Sequence, residues 1–345
     1  MVQSALLKSL MKAGSIPSTT LSDSHFFTSQ DTIPIDLLPA MNLAFTGDFD
    51  GGMTPGLTMF AGPSKSLKTI LGMFCLKAFQ TKYPDGVVLF YDSEYGTIPK
   101  QWVQFGLNTD MIAYHEVEHV EALKFDLAKK LAVVKREDPV MVFIDSIGAM
   151  TTKKEMDDAL AAHSAADMGK RAQQIRSLLR ILMTQLVPKN IPAIGINHVY
   201  VPPEMHARTT QSGGTAVTYN ANQVFFMSQR QYKEGGEKVG TEFVLRIEKS
   251  RTIKPGSTFS FVAKNNRLPK PETGLMELAI EAGIIKQSGA WYQLPGEETK
   301  VQRKGITPEF LIGLTKHNEE FRQFVRDKFQ LSDTMDDVSD DTDQE

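Results

Sequence analysis

Residues 62–69 read Gly62-Pro63-Ser64-Lys65-Ser66-Leu67-Lys68-Thr69, directly after the apolar run Leu57–Ala61 and before a helix-patterned stretch from Ile70 to Tyr83. A strand, a small-residue loop and a helix with Lys-Thr at the turn is the layout of a phosphate-binding loop. Successive backbone N–H groups wrap a phosphate there, and the helix N-terminus adds partial positive charge. In that reading the Lys68 ammonium reaches the β- and γ-phosphates of a nucleoside triphosphate, and the Thr69 hydroxyl ligates Mg²⁺. The usual pattern has a second glycine just before the lysine, where this chain has Leu67. Taken alone, the octet also reads as a Gly/Ser-rich surface turn, so the rest of the chain must decide.

Working outward, strand-length apolar runs recur at Val87–Tyr91, Val140–Ile144, Ile191–Ile196, Val224–Met227, Phe243–Ile247 and Phe259–Ala263. Helical patterns lie between the earlier ones, at Ile98–Phe105, Val120–Val134 and Met168–Leu186. Alternation of this kind predicts an α/β fold, a mainly parallel sheet flanked by helices, with ligands at the carboxyl ends of the strands. Four segments are expected: residues 1–33, with helical patterning over Ser4–Met11 and an aromatic pair at Phe26 and Phe27; a core over 34–270; a small C-terminal domain over 271–331, with helices around Leu275–Glu281 and Pro308–Lys328; and an acidic tail over 332–345.

At 345 residues, 41% of them hydrophobic and 23% charged, the chain has the balance of a soluble globular protein. No apolar run approaches the ~20 residues that span a bilayer, so no membrane is expected. The N-terminus lacks the apolar centre of a secretory signal. The lone cysteine, Cys75, excludes an internal disulfide and reads as a packed small side chain. The net charge of −3 hides an asymmetry: residues 333–345 carry seven of the 41 acids and no base, leaving 34 acids against 38 bases elsewhere. A mildly basic body with an acidic tail suits a polyanion binder whose tail competes for the same surface, or simply a solvated end.

Three further features fit a triphosphate site. Asp145 ends the run Val140–Ile144, where a carboxylate holds Mg²⁺. Glu94 follows Val87–Tyr91, where a carboxylate orients and activates water in line with the γ-phosphate. Asp92 and Glu94 also read as the start of a turn before Pro99. His198 ends the run beginning at Ile191 and immediately precedes a long loop, Val199–Thr215, which suits a γ-phosphate sensor.

Two stretches read as nucleic-acid loops. Thr151–Asp167 leads into Met168, Lys170 and Arg171, followed by Arg176 and Arg180 on one helix face. Val199–Thr215 carries Arg208 and ends in Gly213, Gly214 and Thr215. Arginines neutralise phosphate and glycines admit it to the backbone. Neither stretch has base-stacking aromatics, so backbone recognition with little sequence preference is expected.

In order along the chain, Gly62–Thr69, Phe90–Glu94, Val142–Ser146, Gly195–His198, Gly213-Gly214, Glu248–Arg251 and Gly289–Tyr292 resemble the motifs of RecA-family recombinases, with the closest likeness to the UvsX-type recombinases of large tailed bacteriophages. The likeness covers nearly all of residues 34–292. It implies a RecA-like P-loop ATPase core with an N-terminal docking segment, and a homo-oligomeric helical filament on single-stranded DNA. It further implies ATP and Mg²⁺ bound between protomers, homologous pairing with double-stranded DNA, and strand exchange in recombination, repair and recombination-dependent replication. A mediator and a single-strand-binding protein would be partners, and the cytoplasm of an infected bacterial host the compartment.

By position, the resemblance assigns phosphate and Mg²⁺ to Lys68 and Thr69, metal to Asp145, water activation to Glu94, and contact with a neighbour's ATP to Lys249 and Arg251. Leu67 stands where bacterial relatives keep glycine, and His198 where they commonly have glutamine. Gln101 replaces the aromatic that stacks the adenine, leaving Tyr95 or Trp102 as substitutes. Three rival readings remain: a hexameric helicase on a related core, a non-catalytic DNA-binding accessory protein, and a small-molecule kinase.

Overall fold

Strands buried on both faces read as unbroken apolar runs, and strands of that kind form the centre of this protein. The computed structural model describes residues 4–24, 31–162, 168–200, 210–211, 215–265 and 267–331. Contacts divide the chain into two units, residues 1–32 and 33–345. The first holds helix α1 (Ala5–Ala13), whose cap Ser4 accepts a hydrogen bond from the Leu7 amide at 3.1 Å. Leu6, Leu7 and Leu10 of this helix are exposed. Phe26 and Phe27 lie outside the described residues, as does the acidic tail.

The second unit opens with α2 (Pro39–Thr46), where Pro39 supplies the fixed φ of a first turn. Strand β1 (Gly56–Gly62) leads into α3 (Lys68–Lys82), and β2 (Val87–Asp92) into α4 (Pro99–Gln104). An edge strand β3 (Ile112–Glu116) precedes α5 (Val120–Val133). Strand β4 (Val140–Asp145) is followed by α6 (Lys153–Leu160) and α7 (Met168–Leu186), and β5 (Pro192–Tyr200) by the short β6 (Thr210–Gln211) and α8 (Thr215–Asn220). Antiparallel strands β7 (Gln223–Glu234), β8 (Glu237–Lys249) and β9 (Thr258–Lys264) complete the sheet. After them come α9 (Leu275–Glu281), a small antiparallel sheet of β10 (Lys286–Ser288), β11 (Trp291–Gln293) and β12 (Lys300–Gln302), then α10 (Pro308–His317) and α11 (Glu319–Phe329).

The main sheet runs in the order β3-β2-β4-β5-β1-β7-β8-β9, with β6 paired to β5. The first six strands of that order are mutually parallel. This bears out the predicted α/β class. Alternate residues serve opposite faces. Leu57, Met59, Val142 and Ile144 pack with α5 and α7 through Leu123, Leu127, Ile175 and Leu182. Phe60, Met141, Phe143 and Phe225 pack in the other cluster with residues of α2 and α3 and with Phe321, Val325 and Phe329 of α11. Cys75 is fully buried in this second cluster, and burial raises its thiol pKa well above the ordinary value.

Several elements differ from the sequence reading. Thr151–Asp167, expected as a loop, contains α6, which a capping box of Thr152 and Glu155 initiates. The runs Val224–Met227 and Phe243–Ile247 belong to a much longer hairpin, β7–β8. Its outer part is exposed and polar, so hydrophobic patterning hides it. Strand β3 was invisible for the same reason, since it sits half-exposed at the sheet edge. The single helix expected over Pro308–Lys328 is two, broken where Asn318 ends α10 and caps α11 by accepting from the Phe321 amide at 2.8 Å. Among the described residues, no helix is long and apolar enough to cross a membrane.

Candidate nucleotide site

Parallel register brings the carboxyl ends of β1, β2, β4 and β5 together. Gly62 of β1 pairs with His198 of β5, and Asp92 of β2 with Asp145 of β4. The loop after β1 therefore faces the acids that end β2 and β4. A Cβ on Gly62 would lie 2.7 Å from the Met227 carbonyl oxygen, so β1 approaches β7 too closely for a side chain there.

Pro63, Ser64 and Lys65 are exposed at the loop crown, while Ser66 and Lys68 are buried. The Ser66 hydroxyl and the Lys68 ammonium both donate to the Pro63 carbonyl, each at 2.7 Å. Lys65 and Leu67 have left-handed backbones, with φ of 63° and 70°. Such conformations turn successive N–H groups into an anion-binding concavity. Leu67 occupies its left-handed position without glycine's freedom, and its side chain packs against the core cluster. Burial lowers the Lys68 ammonium pKa below its ordinary value, opposed by the charges of Glu94 and Asp145. A buried cation beside a concavity of amides suits a polyphosphate.

Thr69, the second residue of α3, donates its hydroxyl hydrogen to Asp145 Oδ2 at 2.7 Å. Desolvation raises the Asp145 pKa to about 6; the Thr69 hydrogen bond opposes the rise, and the nearby charges of Glu94 and Asp92 add to it. Its other oxygen, Oδ1, is buried and has no hydrogen-bond partner. An orphaned carboxylate oxygen next to a threonine hydroxyl fits Mg²⁺ or one of its waters. Among the described residues, no group of three or more His, Cys, Asp and Glu side chains is placed to hold a metal ion by itself. One carboxylate, a hydroxyl and substrate phosphates are together the oxygen donors that Mg²⁺ takes.

The acids after β2 divide their work. Asp92 Oδ1 accepts from the amides of Glu94 and Tyr95 at 3.0 and 2.8 Å and so makes the turn. Glu94 points away from that turn. Its Oε1 accepts hydrogen bonds from His198 Nε2 and the Ser146 hydroxyl. The His198 bond, and then the Ser146 bond, hold the Glu94 pKa below its ordinary value against the opposing effect of burial. Glu94 is thus a partly exposed, ionised carboxylate anchored through one oxygen, which is the state a water-activating base requires. Ser146 was not singled out in the sequence. A serine after a strand-ending aspartate carries no signal of its own.

Lys249 does not join this group. Its ammonium donates to the carbonyls of Thr218, Tyr219 and Ala221 at 2.9, 2.8 and 2.8 Å, capping the end of α8. Arg251 is exposed nearby, and its charge adds to burial in lowering the Lys249 pKa. On α7, Lys170, Arg176 and Arg180 are exposed, whereas Arg171 turns to the Gly148 carbonyl. Met168 and Thr215 begin α7 and α8. Arg208, Gly213 and Gly214 lie outside the described residues. The Gln101 side chain accepts from the Ile98 amide at 3.3 Å. Trp102 is buried against Phe90, with ring centroids 5.0 Å apart, which removes it from contact with a base. Tyr95 is 58% exposed and remains.

The family model described as the RecA N-terminal domain matches residues 28–263. The chain is similar to the "Recombination and repair protein" of Enterobacteria phage T4, at 36% identity over 340 residues, covering 95% of this chain and 86% of that relative. It is similar to "Protein RecA" of Corynebacterium urealyticum at 26% identity over 309 residues, covering 88% and 77% of the two chains. The Staphylococcus aureus (strain JH9) "Protein RecA" is 25% identical over 275 residues, covering 79% and 77%.

Proposed function

The chain belongs to the RecA family, and from that membership we propose that it is a DNA recombinase. It assembles as a helical filament on single-stranded DNA, binds ATP between protomers, pairs the bound strand with homologous double-stranded DNA and exchanges strands. The observation that carries this reading is the convergence of Lys68, Thr69, Asp145 and Glu94 on one loop, in a chain similar to a recombination and repair protein over nearly its whole length.

The backbone N–H groups of residues 64–69 and the Lys68 ammonium bind the β- and γ-phosphates. Thr69 and Asp145 hold Mg²⁺, which when bound neutralises charge on the phosphate oxygens. Glu94 takes a proton from the attacking water. Arg251 and Lys249 of the neighbouring protomer stabilise charge on the transferring group, as an arginine finger does. For Lys249 this requires leaving the α8 carbonyls, which links the neighbour's ATP to the segment before α8. His198 exchanges its bond to Glu94 for one to the γ-phosphate and reports its loss. Lys170, Arg176 and Arg180, with Arg208 and the Gly213–Thr215 segment, grip the DNA backbone.

Partners are a recombination mediator and a single-strand-binding protein, and the compartment is the cytoplasm of an infected bacterial host. ATP hydrolysis measured with and without single-stranded DNA, beside negative-stain imaging, tests the reading. Stimulated turnover on open helical filaments is expected. Closed rings, or DNA binding without turnover, would overturn it.

A further inference from the structure

We infer that Ser146 is a positioning residue for ATP hydrolysis: its hydroxyl fixes which oxygen of Glu94 meets the attacking water. The inference rests on the reading of Glu94 as the water-activating carboxylate. Among the described residues, two donors, the Ser146 hydroxyl and His198 Nε2, reach Glu94, and both reach the same oxygen, Oε1. Oε2 is left as the oxygen that can accept a proton. A carboxylate held at one oxygen by two donors, one in β5 and one just past the end of β4, is restrained about its terminal torsion, which is otherwise soft.

The Ser146 end of this contact is itself rigid. Ser146 is fully buried. Its amide donates to Ser93 Oγ at 3.1 Å, and the Ser93 hydroxyl donates back to the Ser146 carbonyl at 2.8 Å. The Ser93 amide donates to the Asp145 carbonyl at 2.8 Å. Ser93 and Glu94 are consecutive, as are Asp145 and Ser146. The end of β2 is therefore joined to the end of β4 by three backbone-linked bonds, and the Ser146–Glu94 bond adds a fourth, through side chains. One strand end thus supplies both the candidate Mg²⁺ ligand and the hydroxyl that sets the base. His198 has another task, at the γ-phosphate, and when it leaves Glu94 the serine is the donor that stays. Ser146 therefore preserves the carboxylate's orientation at the moment of reaction, the kind of supporting contact that keeps a catalytic group in its productive geometry.

The test compares wild type with Ser146→Ala, Ser146→Cys and Glu94→Gln in DNA-stimulated ATP hydrolysis, with affinity for a slowly hydrolysed ATP analogue and the thermal midpoint measured alongside. Ser146→Ala is expected to lower kcat roughly tenfold or more, with KM, analogue affinity and thermal midpoint near wild type. Ser146→Cys keeps a weak donor and should fall between them. An unchanged kcat in Ser146→Ala, while Glu94→Gln is inactive, overturns the inference and leaves the role of Glu94 standing. A loss of kcat only in proportion to lost stability or analogue affinity also overturns it, because the serine would then be merely structural. Wild-type turnover in Glu94→Gln removes the reading of Glu94 and this inference with it.

Discussion

Thr69 and Asp145, 76 residues apart in sequence, share a hydrogen bond of 2.7 Å that ties the first turn of α3 to the end of β4. The bond uses only one carboxylate oxygen and leaves Oδ1 buried and unpartnered.

Asp145 should make the metal-free protein less stable as pH rises. Its folded pKa, about 6, lies above the ordinary carboxylate value because of desolvation. The protonated form therefore favours the fold, and that stability is lost as pH climbs through 6. A displacement of this size is worth on the order of 3 kcal/mol. In EDTA and without nucleotide, Asp145→Asn should match wild type in thermal midpoint near pH 4 and exceed it above pH 7. A gap that does not open with pH would contradict this.

Leu67 separates strain from packing. A left-handed leucine costs roughly 1–2 kcal/mol, but its side chain contacts the core. Leu67→Gly relieves the strain and loses the packing, so stability should stay within about 1 kcal/mol of wild type. Leu67→Ala keeps the strain and loses the packing, and should cost about 1–2 kcal/mol. Urea denaturation ranks the two, and the reverse order would refute the account.

Lys249 caps α8 through three carbonyls within its own protomer. Lys249→Ala should therefore lower stability by roughly 1–2 kcal/mol even without nucleotide or DNA. Denaturation of the isolated variant checks this. No change would mean the ammonium contributes nothing at the helix end.

If Glu94 is the water-activating base proposed above, His198 governs the acid limb of hydrolysis. Its hydrogen bond is the largest influence holding the Glu94 pKa below its ordinary value. Removing it in His198→Ala raises the pH at which Glu94 gains a proton, and a protonated Glu94 cannot take one from water. The acid limb of the kcat profile should move to higher pH, whatever the change in maximal rate. A limb that stays in place would show that Glu94 does not govern it.

The central strands β2 and β4 and their terminal acids were legible because apolar side chains fill both faces, so Val140–Ile144 read as a strand ending at Asp145. The outer β7–β8 hairpin and β3 were not, because exposure removes the hydrophobic signal. Helix α6 carried a readable sign in Thr152 and Glu155 that composition obscured. At the site, residue types with a distinct chemistry stood out, whereas contacts that depend on register did not. Ser146 reaches Glu94 only because β2 lies beside β4 with Asp92 opposite Asp145. Lys249 finds the end of α8 only because β8 folds back along β7.

Hydrolysis by a mixture of two inactive variants tests the central claim most directly. Lys68→Ala lacks its own phosphate grip but keeps Arg251, and Arg251→Ala, altered at an exposed position, keeps its own loop. If ATP is completed across the seam between copies, neither variant alone should turn over near the wild-type rate on single-stranded DNA, and an equal mixture should regain activity. A mixture that co-assembles yet stays as inactive as its parts, or full activity of Arg251→Ala alone, would contradict it.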